Sequence, residues 1–190
     1  MGSEPQSKKY TLKPIFLLAL VSLMCATANA EEAGSITVPM HLVSASGVEK
    51  SIGTIEIHPS KSSKGLVFTP DLAGLKPGSH GFHIHENPSC EPGMKAGVKT
   101  AAVAAGGHYD PEGKQSHKAP WENGHKGDLP VLIVTSDGMA RTPVFAPRLE
   151  LDDIDGRAVM IHEGGDTYSD SPEKLGGGGA RQACGVIRQS

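Results

Sequence analysis

The stretch Gly81-Phe82-His83-Ile84-His85-Glu86-Asn87-Pro88-Ser89-Cys90 constrains the fold more than any other part of the chain. His83 and His85 lie two residues apart in a run that reads as a β-strand. Alternate side chains on a strand share one face, so both imidazoles point the same way. Such a pair needs a rigid, paired backbone beneath it. Cys90 follows at once, in a position to clamp the loop that leaves the strand. An isolated H-x-H is as readily two exposed strand histidines. Here His108, His117, His125 and His162 follow downstream, and the pattern predicts half of a metal site.

Residues 1–30 read as a secretory signal peptide and not as fold. Lys8, Lys9 and Lys13 give a positive start, and the apolar run Ile15 to Ala26 is too short to span a bilayer comfortably. Ala28-Asn29-Ala30 is an A-x-A cleavage signal, which puts the cut after Ala30 and the remaining domain at 31–190. Cys25 follows Met24, where a lipidation site would need a small residue. The expected location is the periplasm. Without residues 1–30 the chain has 15 basic and 20 acidic residues, a net charge of −5 with neutral histidines. No basic tail or patch suggests nucleic acid. Cys90 and Cys184 remain, and in a compartment that permits disulfides pairing is the default reading over two free thiols.

Residues 31–190 predict an all-β domain. Eight segments carry β-branched or alternating residues: Ile36 to Val43, Gly47 to His58, Gly65 to Thr69, His80 to Glu86, Leu129 to Thr135, Thr142 to Ala146, Arg157 to His162 and Cys184 to Arg188. None sustains a helical period, and Gly, Pro and Asp turns separate them. Short strands of this kind point to a sandwich or barrel. With few aromatic residues, the core must be filled mostly by Ile, Val and Leu.

Two connections are far longer than hairpins, from Glu86 to about Asp128 and from Glu163 to Ala183. Loops of such length in a small domain are usually functional or disordered. These hold or flank every other candidate ligand, which favours function. A short helical turn is expected at Ala101 to Ala105, with a packing role. The first loop carries His108, His117, His125 and Asp128, the last two in an H-x-x-D pattern. Three histidines and an aspartate without a thiolate suit zinc in a closed four-coordinate site. His162 ends a strand, and Asp166 follows as an acid of the sort that orients imidazole ligands.

At this point the chain resembles the copper,zinc superoxide dismutases of the bacterial periplasmic kind. The matching pieces are GFHIHENPSC, AAGGHYDPEGKQSH, HKGDLP, MIHEGGDTYSD and LGGGGARQACGVI, spread over about Ser35 to Ser190. The resemblance implies a flattened eight-stranded Greek-key β-barrel with two long functional loops. It implies one copper and one zinc ion per subunit. His83, His85 and His162 would bind copper, and His108 would bridge copper and zinc. His117, His125 and Asp128 would complete the zinc site. Asp166 would link the two sites through one histidine of each, and Cys90 would pair with Cys184. Arg181 would receive the substrate anion. His80 matches a structural position bonded to backbone, while His41 and His58 match no ligand position.

The resemblance further implies the reaction. Superoxide reduces Cu(II) and leaves as dioxygen; a second superoxide reoxidises Cu(I) and leaves as hydrogen peroxide. His108 would leave copper on reduction and carry one of the two protons. The substrate is an anion and the domain is net negative, so local field must steer it. Arg181 is the fixed candidate, with Lys95, Lys99 and Lys126 as further candidates. Bacterial members include monomers and homodimers, and the sequence identifies neither the state nor a copper donor. A non-catalytic periplasmic copper or zinc carrier on the same fold is the competing reading. A carrier needs neither Asp166, nor Arg181, nor all seven ligands.

Overall fold

Alternation of apolar and polar residues builds the first strands of the sheet. The computed structural model of the protein describes residues 1–2 and 34–189. The expected signal peptide therefore lies, apart from Met1 and Gly2, outside the described residues. Strands β1 (Ile36–Ser44), β2 (Gly47–Pro59) and β3 (Leu66–Ala73) form an antiparallel meander. They send Ile36, Val38, Met40, Ile55, Ile57, Leu66, Phe68 and Leu72 inward.

The expected strand from His80 to Glu86 is in fact two, β4 (Gly78–His80) and β5 (Phe82–His85), broken at Gly81. The break lets one run of chain serve two partners. In the first long loop, β6 (Gly93–Lys95) and β7 (Val98–Thr100) form a small hairpin that the sequence did not suggest. The expected helical turn appears as a 3-10 turn at Val103–Ala105. Strands β8 (Leu132–Val134), β9 (Met139–Ala140), β10 (Val144–Ala146), β11 (Ala158–His162) and β12 (Arg181–Val186) follow. A single helical turn, α1 (Leu151–Ile154), lies between β10 and β11.

The main sheet runs β10-β3-β2-β1-β12-β11-β5, with β9 also on β3. Thr135 N–H donates to Met139 O at 2.8 Å, which makes β8 and β9 a hairpin, and β8 pairs with β4. Because β4 runs on into β5, the ring of strands closes. This is the Greek-key barrel that the resemblance implied, and a barrel is one of the two forms to which the strand pattern pointed. Ile, Val and Leu fill the interior, with Phe68 and Phe82 edge-to-face at 5.8 Å.

The barrel also has a covered outer face, and this is where the histidines go. On β5, Phe82 and Ile84 point into the core, so His83 and His85 point out. They stand opposite Met160 and Ala158 of β11. A second apolar cluster lies on this side: Val43, Cys90, Ala102, Ala105, Ala158, Met160 and Cys184. It seats the first long loop on the barrel. The Cys90–Cys184 disulfide, with a Cα–Cα distance of 5.7 Å, bolts that loop to β12.

Candidate metal centre

The open edge of β5 is satisfied by loop backbone. Ile84 N–H donates to Gly127 O at 2.9 Å, and Tyr109 N–H donates to Ile84 O at 2.8 Å. His85 thereby comes opposite His108, and His83 opposite Asp128. Gly127 is needed here, because a Cβ would lie 3.0 Å from the Tyr109 amide nitrogen. The second long loop closes the site from the other side. Gly164 N–H donates to Gly178 O, and Gly81 N–H donates to Gly164 O, each at 2.8 Å.

The four consecutive glycines from Gly176 now have a reason. A Cβ on Gly176, whose φ is +69°, would intrude on the Asp166 carboxylate and stand 2.8 Å from His117 Nε2. A Cβ on Gly178 would stand 3.2 Å from the His162 ring. Backbone without side chains is what lets this loop lie directly on imidazoles.

Two overlapping groups of buried ligand atoms result. His83, His85, His108 and His162 form one, with their ligand atoms within 4.8 Å of one another. His83, His108, His117 and Asp128 form the other. His125 falls outside the second group, yet its Nδ1 stays 3.3 Å from Asp128 Oδ1. Around that oxygen also stand His108 Nδ1 at 2.9 Å and His117 Nδ1 at 3.0 Å. Asp166, its side chain fully buried, joins the groups: Oδ2 accepts from His83 Nε2 and Oδ1 from His117 Nε2, both at 2.7 Å.

The remaining ring nitrogens are ordered by backbone carbonyls. His85 Nδ1 donates to Gly106 O at 3.0 Å, and His162 Nδ1 to Gly179 O at 3.3 Å. Each of these rings then has one nitrogen left over. His83 Nδ1, His85 Nε2, His108 Nε2 and His162 Nε2 are buried and have no hydrogen-bond partner. A buried polar atom without a partner is costly, and four aimed into one small volume call for an electrophile. The donor set of imidazoles suits copper or zinc, and the Asp128 side, three Nδ1 atoms around one carboxylate oxygen, suits zinc. The residues present fit both metals.

Burial holds His83 and His85 well below the usual imidazole range, reinforced by the neighbouring His108 charge. Burial also brings His162 down to about 4. These rings are neutral at neutral pH, the form that can ligate. Burial would lower His117 too, but its bonds to Asp128 and Asp166 outweigh that and push it up to about 9. Asp128 is held far below the carboxylate range: its three histidine partners overcome the effect of burial.

Arg181 is half-buried at the start of β12. Its Nη1 donates to Ala102 O and its Nη2 to Gly106 O, the same carbonyl that orients His85. His80 lies beneath the site with both ring nitrogens 2.8 Å from carbonyls, those of His162 and Lys76. It has no nitrogen to spare for a metal. His41 and His58 join neither group. Sequence reasoning missed the carbonyls of Gly106 and Gly179, and also Asp170, which accepts from the His117 amide at 2.8 Å. Nothing in the local sequence signals a backbone acceptor.

The family of copper/zinc superoxide dismutases matches residues 51–187. The chain belongs to the copper/zinc superoxide dismutase family. The copper-zinc superoxide dismutase 2 of Salmonella typhimurium is 54% identical over 173 residues, which cover 90% of this chain and 97% of that one. Among solved structures, the Cu/Zn superoxide dismutase from Brucella abortus superposes with a TM-score of 0.79 at 50% identity, over 82% of this chain and all of that one. A monomeric copper, zinc superoxide dismutase from Salmonella enterica gives 0.73 at 55% identity, with coverage of 82% and 100%. Membership in the superoxide dismutase family accords with a metal centre of two overlapping ligand groups.

Proposed function

We infer that this buried centre makes the protein a superoxide dismutase that works with one copper and one zinc ion. Two superoxide anions and two protons become one dioxygen and one hydrogen peroxide; one superoxide is oxidised and the other reduced. Copper supplies the reversible one-electron chemistry when bound, and zinc a fixed positive charge. His83, His85, His108 and His162 would hold copper through their partnerless nitrogens. His108, His117, His125 and Asp128 would hold zinc. The observation that carries the assignment is where the ring nitrogens converge: His83, His85, His108 and His162 bring together one partnerless nitrogen each, while the Nδ1 atoms of His108, His117 and His125 gather around Asp128 Oδ1.

Several residues have work besides ligation. Asp166 fixes the rings of His83 and His117, one from each site, and so couples their positions. His108 turns Nδ1 to Asp128 and leaves Nε2 free, so Nε2 can hold a proton and pass it on. Arg181 offers a permanent charge and a fork of donors to a small anion beside His85. A carrier without turnover would need none of this.

The disulfide and the bacterial relatives fit an extracytoplasmic enzyme. We place it in the periplasm, delivered by a signal peptide cut after Ala30. The division of ligands is tested by metal content. His85→Ala should lose copper and dismutation while retaining zinc. Asp128→Ala should lose zinc and retain most copper. Loss of both metals from both variants would overturn the division.

A further inference from the structure

One charged side chain outside the centre makes contacts that ligation does not explain. The zinc-side segment between His117 and Asp128 contains no helix and no named strand. Its backbone carbonyls must find other partners. Arg148 supplies three of them. Its Nε donates to Pro120 O at 2.7 Å, its Nη1 to Gly124 O at 3.2 Å and its Nη2 to His125 O at 2.5 Å. One planar guanidinium thus gathers the carbonyls of a six-residue excursion that ends on a zinc-side histidine. The same end is tied back to the chain before the excursion, where His125 N–H donates to Ser116 O at 3.0 Å. His125 is therefore gripped at both its amide and its carbonyl.

Arg148 is well placed to transmit the frame of the barrel. Ala146, two residues before it, ends β10 in register with Leu66 of β3. Leu149, the next residue, is 1% exposed in the main core. Gly65 allows the close passage, since a Cβ there would lie 2.7 Å from Ala146 O. Asp170 also bonds the start of this segment, at the His117 amide, but it belongs to the second long loop itself. Arg148 lies in the turn directly after β10, a strand already paired with β3, and just before the buried Leu149.

We propose that Arg148 is a positioning residue for the zinc site: it fixes the His125 backbone so that Nδ1 faces Asp128. The proposal rests on the assignment of His125 to zinc. A guanidinium is suited to this because its donors are planar, fixed and always charged. Lysine, a single point of charge, could reach one carbonyl and not three. Loss of a group that orients a metal ligand costs about 10–100-fold in metal affinity.

The test uses the copper- and zinc-loaded enzyme, with zinc release to a chelating dye as the readout. Arg148→Ala should release zinc about 10–100-fold faster than wild type. Arg148→Lys should fall between the two. Arg141→Ala removes an exposed arginine that pairs with the exposed Asp71, neither of them a candidate ligand, and should behave as wild type. Cobalt(II) placed in the zinc site gives a second readout, its visible spectrum. That spectrum should change in Arg148→Ala, because ligand geometry sets it and a loss of global stability does not. If Arg148→Ala fails to fold, Arg148→Lys carries the same comparison. Zinc release within twofold of wild type and an unchanged cobalt spectrum, in whichever Arg148 variant folds, would overturn the proposal. So would equal effects from Arg141→Ala. A wild-type enzyme that takes up no zinc would instead sink the site assignment beneath it.

Discussion

At the scale of single residues, the centre is a problem of which nitrogen faces where. His83 and His85 were legible because the two-residue period of a strand fixes their common face. The choice of ring nitrogen was not legible, because Gly106 O and Gly179 O make it from 21 and 17 residues away. Lys126 was a candidate for steering. Its ammonium lies 2.5 Å from Asp153 Oδ1, an acid that also caps α1, so its charge is engaged in structure. A pH prediction belongs to this scale. His162 titrates at about 4 when folded, below the ordinary 6.5, so the unfolded chain binds the proton more readily. Its contribution to stability is present above about 6.5 and is lost as pH falls toward 4. His117, raised to about 9, contributes stability below 6.5 that is lost as pH rises through 9. The metal-free protein should therefore have its highest urea midpoint near neutrality, with the acid limb flattened in His162→Gln. An acid limb of equal slope in that variant would count against the burial argument.

At the scale of elements, the sequence located most of the sheet but not its joints. β1, β2, β10 and β11 fall within a few residues of expectation, because alternation and β-branched runs mark them. The split at Gly81 was hidden, because β4 and β5 differ in partner and not in local pattern. The extension of β3 through Pro70 was likewise invisible: proline interrupts a strand reading, yet here it faces Ile55 within the ladder. The β6–β7 hairpin is only three residues a side, too short for periodicity to show. Loop anchoring gives the prediction at this scale. Cys90 and Cys184 are 94 residues apart, and closing a loop of that size in the unfolded chain is worth about 4–5 kcal/mol. Reduction, or Cys90→Ser with Cys184→Ser, should lower the denaturant midpoint accordingly. It should also speed copper release, because the same loop carries the Gly106 carbonyl that holds His85 and Arg181. Reduced and oxidised protein with equal midpoints would contradict this.

At the scale of the whole molecule, the question is how an anion reaches a centre in a net negative protein. Residues 31–190 carry −5, so bulk charge opposes encounter. Arg181 stands at the centre, and Lys95 and Lys99 are exposed on the β6–β7 hairpin, with no ion pair among the described residues. Local attraction should dominate at short range, where the Debye length of about 8–10 Å screens the distant acids. Added salt should then slow the wild type. Arg181→Ala should be slower at every ionic strength and less sensitive to salt, with copper content unchanged. A wild-type rate that rises with salt and ignores Arg181 would reject local steering. The central claim is tested most directly by one measurement: metal content and superoxide dismutation on the same purified sample of residues 31–190. The account predicts one copper and one zinc per chain. It also predicts a second-order rate near the diffusional ceiling that superoxide dismutases reach, about 10⁸–10⁹ M⁻¹s⁻¹. A sample that holds both metals fully and leaves superoxide to its spontaneous decay would contradict it.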